Sequence, residues 1–494
     1  MENTIVRAID RLPPDGLTGR RKITTKKAEI TAENVKDVIS ETIALHRQNA
    51  SEITYLYDYY RGKQDVRFKD KYARENINNK VVVNKANQIV AFKTSFLLNE
   101  PVKYISESGN KTSNVNTLNE YMRAEDKESK DKEIVDWMHI CGIGERLTLT
   151  DELADGAPFY IDTVDPREAY VIYSSRIGKR RMAGVLIQED EDGTEVYTVY
   201  TKDKCFIVRG EEVTVEDHIL GGIPLVEYEN NFARMGSFEP VISILNQINL
   251  FESNSADAVE DYVNGFDVFQ NCDIDDGTYG QLSIGGQAVK VKTTVPGMEA
   301  KVYRVASELS QVGVQTRIND LTQDYLEICG MPNRNGGSST SDTGQAVIFR
   351  DGWSEAESRA KDTEKLFCRA EKEFLRVVLN ICDAKSPVGL QLKDIQINFS
   401  RKNLNNLQSK LQAFCELLAN PYVDPLDAYN ALGDVFGDKN AAYRRGMAWY
   451  EKNESKELEE IEKQLDAERE KINGRIQTGG SDTEGTEQVI PEEA

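Results

Sequence analysis

The spacing of apolar residues predicts a chain that alternates long helices with β-rich stretches. Val35, Val38, Ile39, Ile43 and Leu45 recur with a period near 3.6 and predict a helix within Thr31–Tyr60. The tyrosine-rich EITYLYDYYRGKQ (52–64) forms its packing face, and Arg61-Gly62-Lys63 ends it. A second apolar helix follows the run Val81–Val83 through Ile89, Val90, Phe92, Phe96 and Leu97, and Asn99-Glu100-Pro101 stops it. Residues 146–230 change period. RLTLT (146–150), PFYIDTVD (158–165), AYVIYS (169–174), MAGVLIQ (182–188), EVYTVYT (195–201) and CFIVRG (205–210) are short β-branched and aromatic runs. Turn residues such as Glu191-Asp192-Gly193 separate them. Residues 239–264 predict one helix, with Val241, Ile244, Leu245, Ile248, Phe251, Val259 and Tyr262 near one stripe and Glu252, Asp257, Glu260 and Asp261 on other faces. Strands return in FDVFQ (266–270), QAVKVKTTV (287–295) and AKVYRV (300–305), and 308–329 is helical again. At about 1.5 Å per residue each flanking helix is roughly 35 Å long, so the pattern describes a two-helix stalk carrying a β-rich tip.

Next comes MPNRNGGSSTSDTGQ (331–345), the most loop-like stretch of the chain. From Ala346 to Ile381 apolar and small residues alternate three and four apart, which predicts a long helix; Asp342 and Gln345 have the spacing of a capping box. IQINFS (395–400) reads as a short strand, and 403–450 as further helices punctuated by Pro421, Pro425 and Gly437. Residues 451–494 carry 14 acids against 6 bases, and the last 20 or so are expected to be disordered. At the other end, residues 1–30 carry 7 bases against 4 acids, with Arg20, Arg21, Lys22, Lys26 and Lys27 clustered; this reads as a mobile basic arm, able to dock on an acidic partner.

Composition narrows the possible chemistry. The chain has 494 residues and a net charge of −22, and 39% of it is apolar, enough for two to four domains with ordinary cores. No apolar run approaches the roughly 18 residues of a membrane span, and MENTIVRAIDRLPP lacks the apolar segment of a secretory signal. A soluble protein made in a cytoplasm is expected. Seven cysteines without a CxxC pair and three scattered histidines argue against a zinc ribbon, a disulfide framework or a local histidine metal site. The acidity disfavours a protein that grips duplex DNA. It leaves open one that must let DNA pass without sticking, because acidic walls repel phosphate.

No motif of catalysis is present. GGSST (336–340) is followed by no GKS or GKT, and GxSxG, GxGxxG, HRD and DFG do not occur. The acidic turns EDEDG (189–193) and DIDDG (273–277) lack calcium-loop spacing and read as hairpin turns. A metal-dependent phosphodiesterase or nuclease built from Asp/Glu clusters remains the alternative of a different class, and a capsid or scaffold component of another kind a third. The loop at 333–343 is polar and, before Asp342, charged only at Arg334. It is either an ordinary connection or a loop that touches a passing polyanion through amides and hydroxyls.

Several segments together resemble the portal proteins of tailed double-stranded DNA bacteriophages, in the branch found in long-tailed phages of Gram-positive bacteria. They are YYRGKQ (59–64), NNKVVVNKANQIVAFKTSFLLNEPVKY (78–104), VDPREAYVIY (164–173), GGIPLVEYENN with GSFEPVISILNQIN (221–249) and NFSRKNLNNLQSKLQAF (398–414). The resemblance covers about 40–465 and includes the helix–insert–helix–loop–long-helix order of 239–383.

The resemblance implies an α+β, mainly helical portal fold with wing, two-helix stem, β-rich clip and helical crown, assembled as a ring, usually a dodecamer, at one capsid vertex. Beyond the flexible arm 1–39, the wing would be 40–238, rejoined by the long helix and strand of 346–402. Stem helices 239–264 and 308–330 would flank the clip 265–307. The tunnel loop would be 331–345, the crown 403–465 and the disordered acidic tail 466–494. Asn333, Arg334, Asn335, Gly336, Gly337, Ser338, Ser339 and Thr340 would face DNA. Glu252, Asp257, Glu260 and Asp261 would line the channel, and Lys290, Lys292 and Lys301 would meet clip partners. The implied partners are double-stranded DNA, the terminase large subunit, a head–tail adaptor, and the major capsid protein with its scaffold. No membrane and no cofactor is implied. The implied place is the virion, after assembly in the host cytoplasm, and an external motor would supply the energy, so no catalytic residue is expected.

Overall fold

The computed structural model describes residues 18–71, 76–107, 110–150, 156–263, 266–273, 292–293, 297–299, 301–305, 311–333, 352–399, 404–431 and 439–478. These fall into two compact units. The larger takes in those up to Glu107 and from Ser113 to Asn406; the smaller takes in those within Ser108–Thr112 and from Leu407 onward. The fold is mixed α+β with helix predominant.

In the larger unit the order is β1 (Thr24–Thr25), α1 (Val35–Tyr60), α2 (Lys85–Leu97), β2 (Lys103–Ser106), α3 (Thr112–Ala124) and α4 (Lys127–Cys141). The β-rich stretch follows as β3 (Ile143–Thr150), β4 (Phe159–Val164), β5 (Ala169–Ser174), β6 (Arg181–Glu189), β7 (Glu195–Tyr200), β8 (Lys204–Arg209), β9 (Glu212–Asp217) and β10 (Leu225–Glu229). Then come α5 (Ile242–Val263), β11 (Phe266–Gln270), β12 (Cys272–Asp273), β13 (Lys292–Thr293), β14 (Lys301–Val305), α6 (Gln311–Cys329), α7 (Trp353–Lys385) and β15 (Ile395–Asn398).

The runs of alternating residues at 169–217 build a six-stranded sheet in the order β1-β5-β6-β7-β8-β9, antiparallel except for the parallel β1–β5 pair. Val35, Val38 and Ile39 of α1 cover one face, against Ile172, Val185, Val199 and Phe206. A three-stranded sheet, β10-β3-β4, packs against Ile134, Val135 and Met138 of α4 and against Phe367, Phe374 and Val378 of α7. The turn EDEDG closes the β6–β7 hairpin, with Asp190 N–H donating to Thr194 O at 3.0 Å.

The first basic cluster does not form a loose arm. Arg20 is 2% exposed; its guanidinium meets Glu52 at 3.0 Å and Glu239 at 2.8 Å. Arg21 reaches Glu52 at 2.6 Å, Lys22 reaches Glu229 at 2.9 Å, and Ile23 enters the core beneath the six-stranded sheet. The physical reason is that these cations are complemented inside their own protomer, and β1 then ties the segment to β5. The expectation of a flexible arm over 1–39 is therefore corrected for 18–39; residues 1–17 lie outside the described ones.

A buried charged cluster joins α4, β3, β10 and α7. Glu371, fully buried in the middle of the α7 seam, contacts Arg146 at 3.2 Å, Lys127 at 2.8 Å, Tyr104 at 2.5 Å and Tyr228 at 2.6 Å. Asp131 closes the cluster with Lys127 at 2.6 Å and with Arg146.

The smaller unit contains α8 (Leu404–Ala419), α9 (Pro425–Ala431) and α10 (Lys439–Thr478). Phe414, Tyr429 and Tyr443 stack edge to face at 5.0 and 5.8 Å. The disorder expected from 466 is corrected for 466–478, which continue α10. Residues 451–475 are rich in Glu, Lys, Gln, Leu and Arg, strong helix formers, with acid–base spacings such as Glu459 to Lys463.

Candidate functional site

The helix–ribbon–helix unit predicted at 239–330 is built by α5, α6 and the antiparallel pair β11–β14, in which Phe266 faces Val305 and Gln270 faces Lys301. The apolar stripe of α5 (Leu245, Ile248) packs with Leu321, Tyr325 and Leu326 of α6. The adjoining stripe of α5 is polar, at Asn246, Asn249, Ser253 and Asp257, and it does something the sequence reading missed. The backbone N–H groups of alternate residues in the extended segment 79–83 donate to it in register: Val83 to Asn249 Oδ1 at 3.0 Å, Val81 to Ser253 Oγ at 2.9 Å and Asn79 to Asp257 Oδ1 at 2.6 Å. Two extended residues advance roughly 6.6 Å and four helical residues about 6 Å, so the two repeats match. The helix acts as a pairing edge. The signal was legible as Asn, Asn, Ser and Asp at helical spacing on one face. The extended partner, however, read only as a short apolar run ahead of the next helix.

Asp257 is accordingly turned into the protomer. It is 3% exposed, with Lys69 at 2.8 Å and Lys71 at 3.3 Å on its other oxygen. Its expected place on a channel wall is corrected: the carboxylate is consumed by these bonds and presents no free charge to a lumen. Glu260 is exposed and accepts from Asn79 Nδ2 at 3.0 Å; Glu252 is half-buried. The side chain of Asp261 lies outside the described residues.

Burial opposes the charge on Asp257, yet the bonds from Lys69, Asn79 and Lys71 bring its carboxyl down to about 2. The sign follows: a carboxyl lowered by folding adds stability in full above its ordinary value of 3.8 and loses it as pH falls through about 2. Asp257→Asn is expected to cost about 2 kcal/mol at neutral pH. Denaturant melts of variant and parent should converge between about pH 4 and pH 2.

The helix pair ends at the base of the long loop. Gly330 (φ 62) leaves α6 in the left-handed region, where an added Cβ would fall 2.3 Å from Arg359 Cδ. Arg359 Nη1 in turn donates to Ile328 O at 2.9 Å. Gly352 (φ 81) begins α7, and a Cβ there would lie 3.7 Å from Pro332 Cα. The chain thus departs at Asn333 and returns beside its point of departure. Phe92, Phe96 and Trp353 flank this doorway, with ring centroids 5.6–6.2 Å apart, over a hollow of about 630 Å³. Of the residues expected to face DNA, Asn333 is half-buried in that hollow's wall. Arg334, Asn335, Gly336, Gly337, Ser338, Ser339 and Thr340 lie outside the described residues, as does the expected helix start at 342–351. Of the clip residues, Lys301 is exposed, 3.5 Å from Glu299. Lys290 and the side chain of Lys292 lie outside the described residues.

Among the described residues no group of three or more His, Cys, Asp or Glu is placed to hold a metal ion, and no helix is long and apolar enough to cross a membrane. Residues 39–420 match the family described as "Phage portal protein, SPP1 Gp6-like", and the chain belongs to that family. It is a phage portal protein. No curated protein matches it. Two similar solved structures come from a gene transfer agent (GTA). The "Virion of native gene transfer agent (GTA) particle" is 8% identical, covers 77% of this chain and 93% of that chain, and has a TM-score of 0.43. The "Neck of native GTA particle computed with C12 symmetry" is 8% identical, covers 71% and 91%, and has a TM-score of 0.42.

Proposed function

We propose that this portal protein closes into a ring, a dodecamer in the virion, through which double-stranded DNA is packaged, retained and ejected. The observation that carries this is the α5–ribbon–α6 unit, rooted in the body by the polar ladder and opening at its base into a loop with a single doorway. In this reading α5 and α6 are the stem, β11 to β14 the clip, 331–345 the tunnel loop, the rest of the larger unit the wing, and α8 to α10 the crown. Asn333 and residues 334–340 face DNA. Glu252, Glu260 and Asp261 give the stem its negative lining, without Asp257. Lys290, Lys292 and Lys301 meet the terminase large subunit and later the head–tail adaptor, while the wing meets the major capsid protein and scaffold. Rings assemble in the host cytoplasm.

The subunit works as a conduit and not as an enzyme. Net charge supports this: a chain at −22 repels phosphate, so DNA slides while a separate motor consumes fuel. Negative-stain imaging and native mass spectrometry of the purified chain test the proposal. The expected result is a ring of about twelve or thirteen copies with an axial hole. A monomer that cleaves DNA with Mg²⁺ or Mn²⁺ would replace it with the nuclease reading.

A further inference from the structure

The six-stranded sheet is electrically lopsided. Against the acids Asp203 and Asp217 at one end, the sheet carries the cations Arg176, Lys179 and Arg180 of the β5–β6 turn and Lys202 of the neighbouring β7–β8 turn. All four are exposed, and among the described residues none has a carboxylate within ion-pair distance. At the tip of this turn Ile177 is 106% exposed, an apolar side chain held out in water. The turn is closed by Ser174 N–H to Arg180 O at 2.8 Å and Lys179 N–H to Arg176 O at 3.0 Å, so the tip has a definite shape. Behind it lies an open cleft of about 620 Å³, between the turn and α7, whose Arg369 and Arg376 are already paired with Glu229 and Glu373.

The opposite end of the same sheet is acidic. Glu189, Asp190, Glu191, Asp192 and Glu195 surround the β6–β7 turn, and Glu211 and Glu212 the β8–β9 turn. Arg209 pairs with Asp190, Arg47 with Glu195 and Lys36 with Glu211. Glu189, Glu191 and Glu212 are exposed and have no such partner among the described residues.

The two ends are separated by the length of β6, roughly 30 Å, several times the screening length of about 8 Å at physiological salt. They cannot neutralise each other within one molecule. A ring is built from a heterologous contact, in which one surface of each copy meets a different surface of the next. We infer that the basic, Ile177-tipped end of the sheet docks on the acidic β6–β7 end of the adjacent copy. This rests on the ring proposed above and names one of its contacts.

The test is a charge swap read by native mass spectrometry of the full chain at low and high salt. Lys179→Glu with Arg180→Glu should shift mass from ring to monomer, as should Glu189→Lys with Glu191→Lys. The four changes together should return the ring. Added salt should weaken the parent ring and the swapped ring alike. Rings that survive either pair of reversals overturn the inference. Loss by both pairs without recovery in the combination also overturns it, because the basic end would then answer to another acidic partner. Should Lys179→Glu with Arg180→Glu fail to fold, Lys179→Gln with Arg180→Gln makes the same reading with a smaller loss. The unmodified chain is the control for the portal reading itself: if it forms no ring, that reading fails, whereas rings indifferent to these charges remove the contact alone.

Discussion

Glu371→Ala should lower the stability of the larger unit by about 3–5 kcal/mol, the cost of leaving buried cations without their carboxylate. Arg146 and Lys127 would keep only Asp131 between them, and Tyr104 and Tyr228 would lose their acceptor. Changing Glu371 and Arg146 together to apolar residues of similar volume should cost much less than the single change, because the penalty comes from the orphaned charge. Burial opposes ionisation of Glu371, but Lys127 and Arg146 bring its carboxyl to about 2. Its contribution is therefore complete above the ordinary value of 4.5 and fades as pH falls toward 2. Thermal melts of parent and variant from pH 7 to pH 2 check both statements. A variant as stable as the parent at neutral pH would show that the cluster contributes nothing net.

Deletion of residues 335–340 is expected to leave ring assembly intact and to abolish or strongly reduce DNA packaging or retention. The structural half of this expectation rests on the doorway. Asn333 and Gly352 lie at adjacent points, and Arg359 and the Phe92–Phe96–Trp353 cluster hold the two sides. Shortening the excursion between them pulls on neither α6 nor α7. The functional half rests on the proposal that these residues face DNA. Rings are counted by imaging and packaged genomes by nuclease protection. Full packaging by the deletion would remove the loop's assigned role.

Much of the fold was legible because period and turn chemistry agree. The strands of 146–210, the buried part of the α5 and α6 stripes (Leu245, Ile248, Leu321 and Tyr325) and the seam of α7 follow from side-chain spacing, whereas Val259, Val312 and Ile328 on those stripes stay exposed. What escaped was chemistry that crosses the chain. Glu227 and Glu229 make LVEYE look unlike a buried strand; Arg234, Lys22 and Arg369 complete it from elsewhere. Arg20 looked like part of a solvated arm because its acids are 32 and 219 positions away, at Glu52 and Glu239. Asp257 looked free for the same reason: its partners sit on a segment that no local pattern joins to α5. A periodicity shows which face is polar. It does not show what that face is for.

The ladder along α5 also has a mechanical meaning. Between Asn246 and Glu260, about 21 Å of the rod is stitched to the trunk of the subunit, while its apolar side packs on the companion helix. In the proposed ring, a thrust delivered at the ribbon would be borne by a cantilever clamped along its root. Load on the stem would pass into the body of the subunit through the backbone amides of Asn79, Val81 and Val83, each held by a buried α5 side chain.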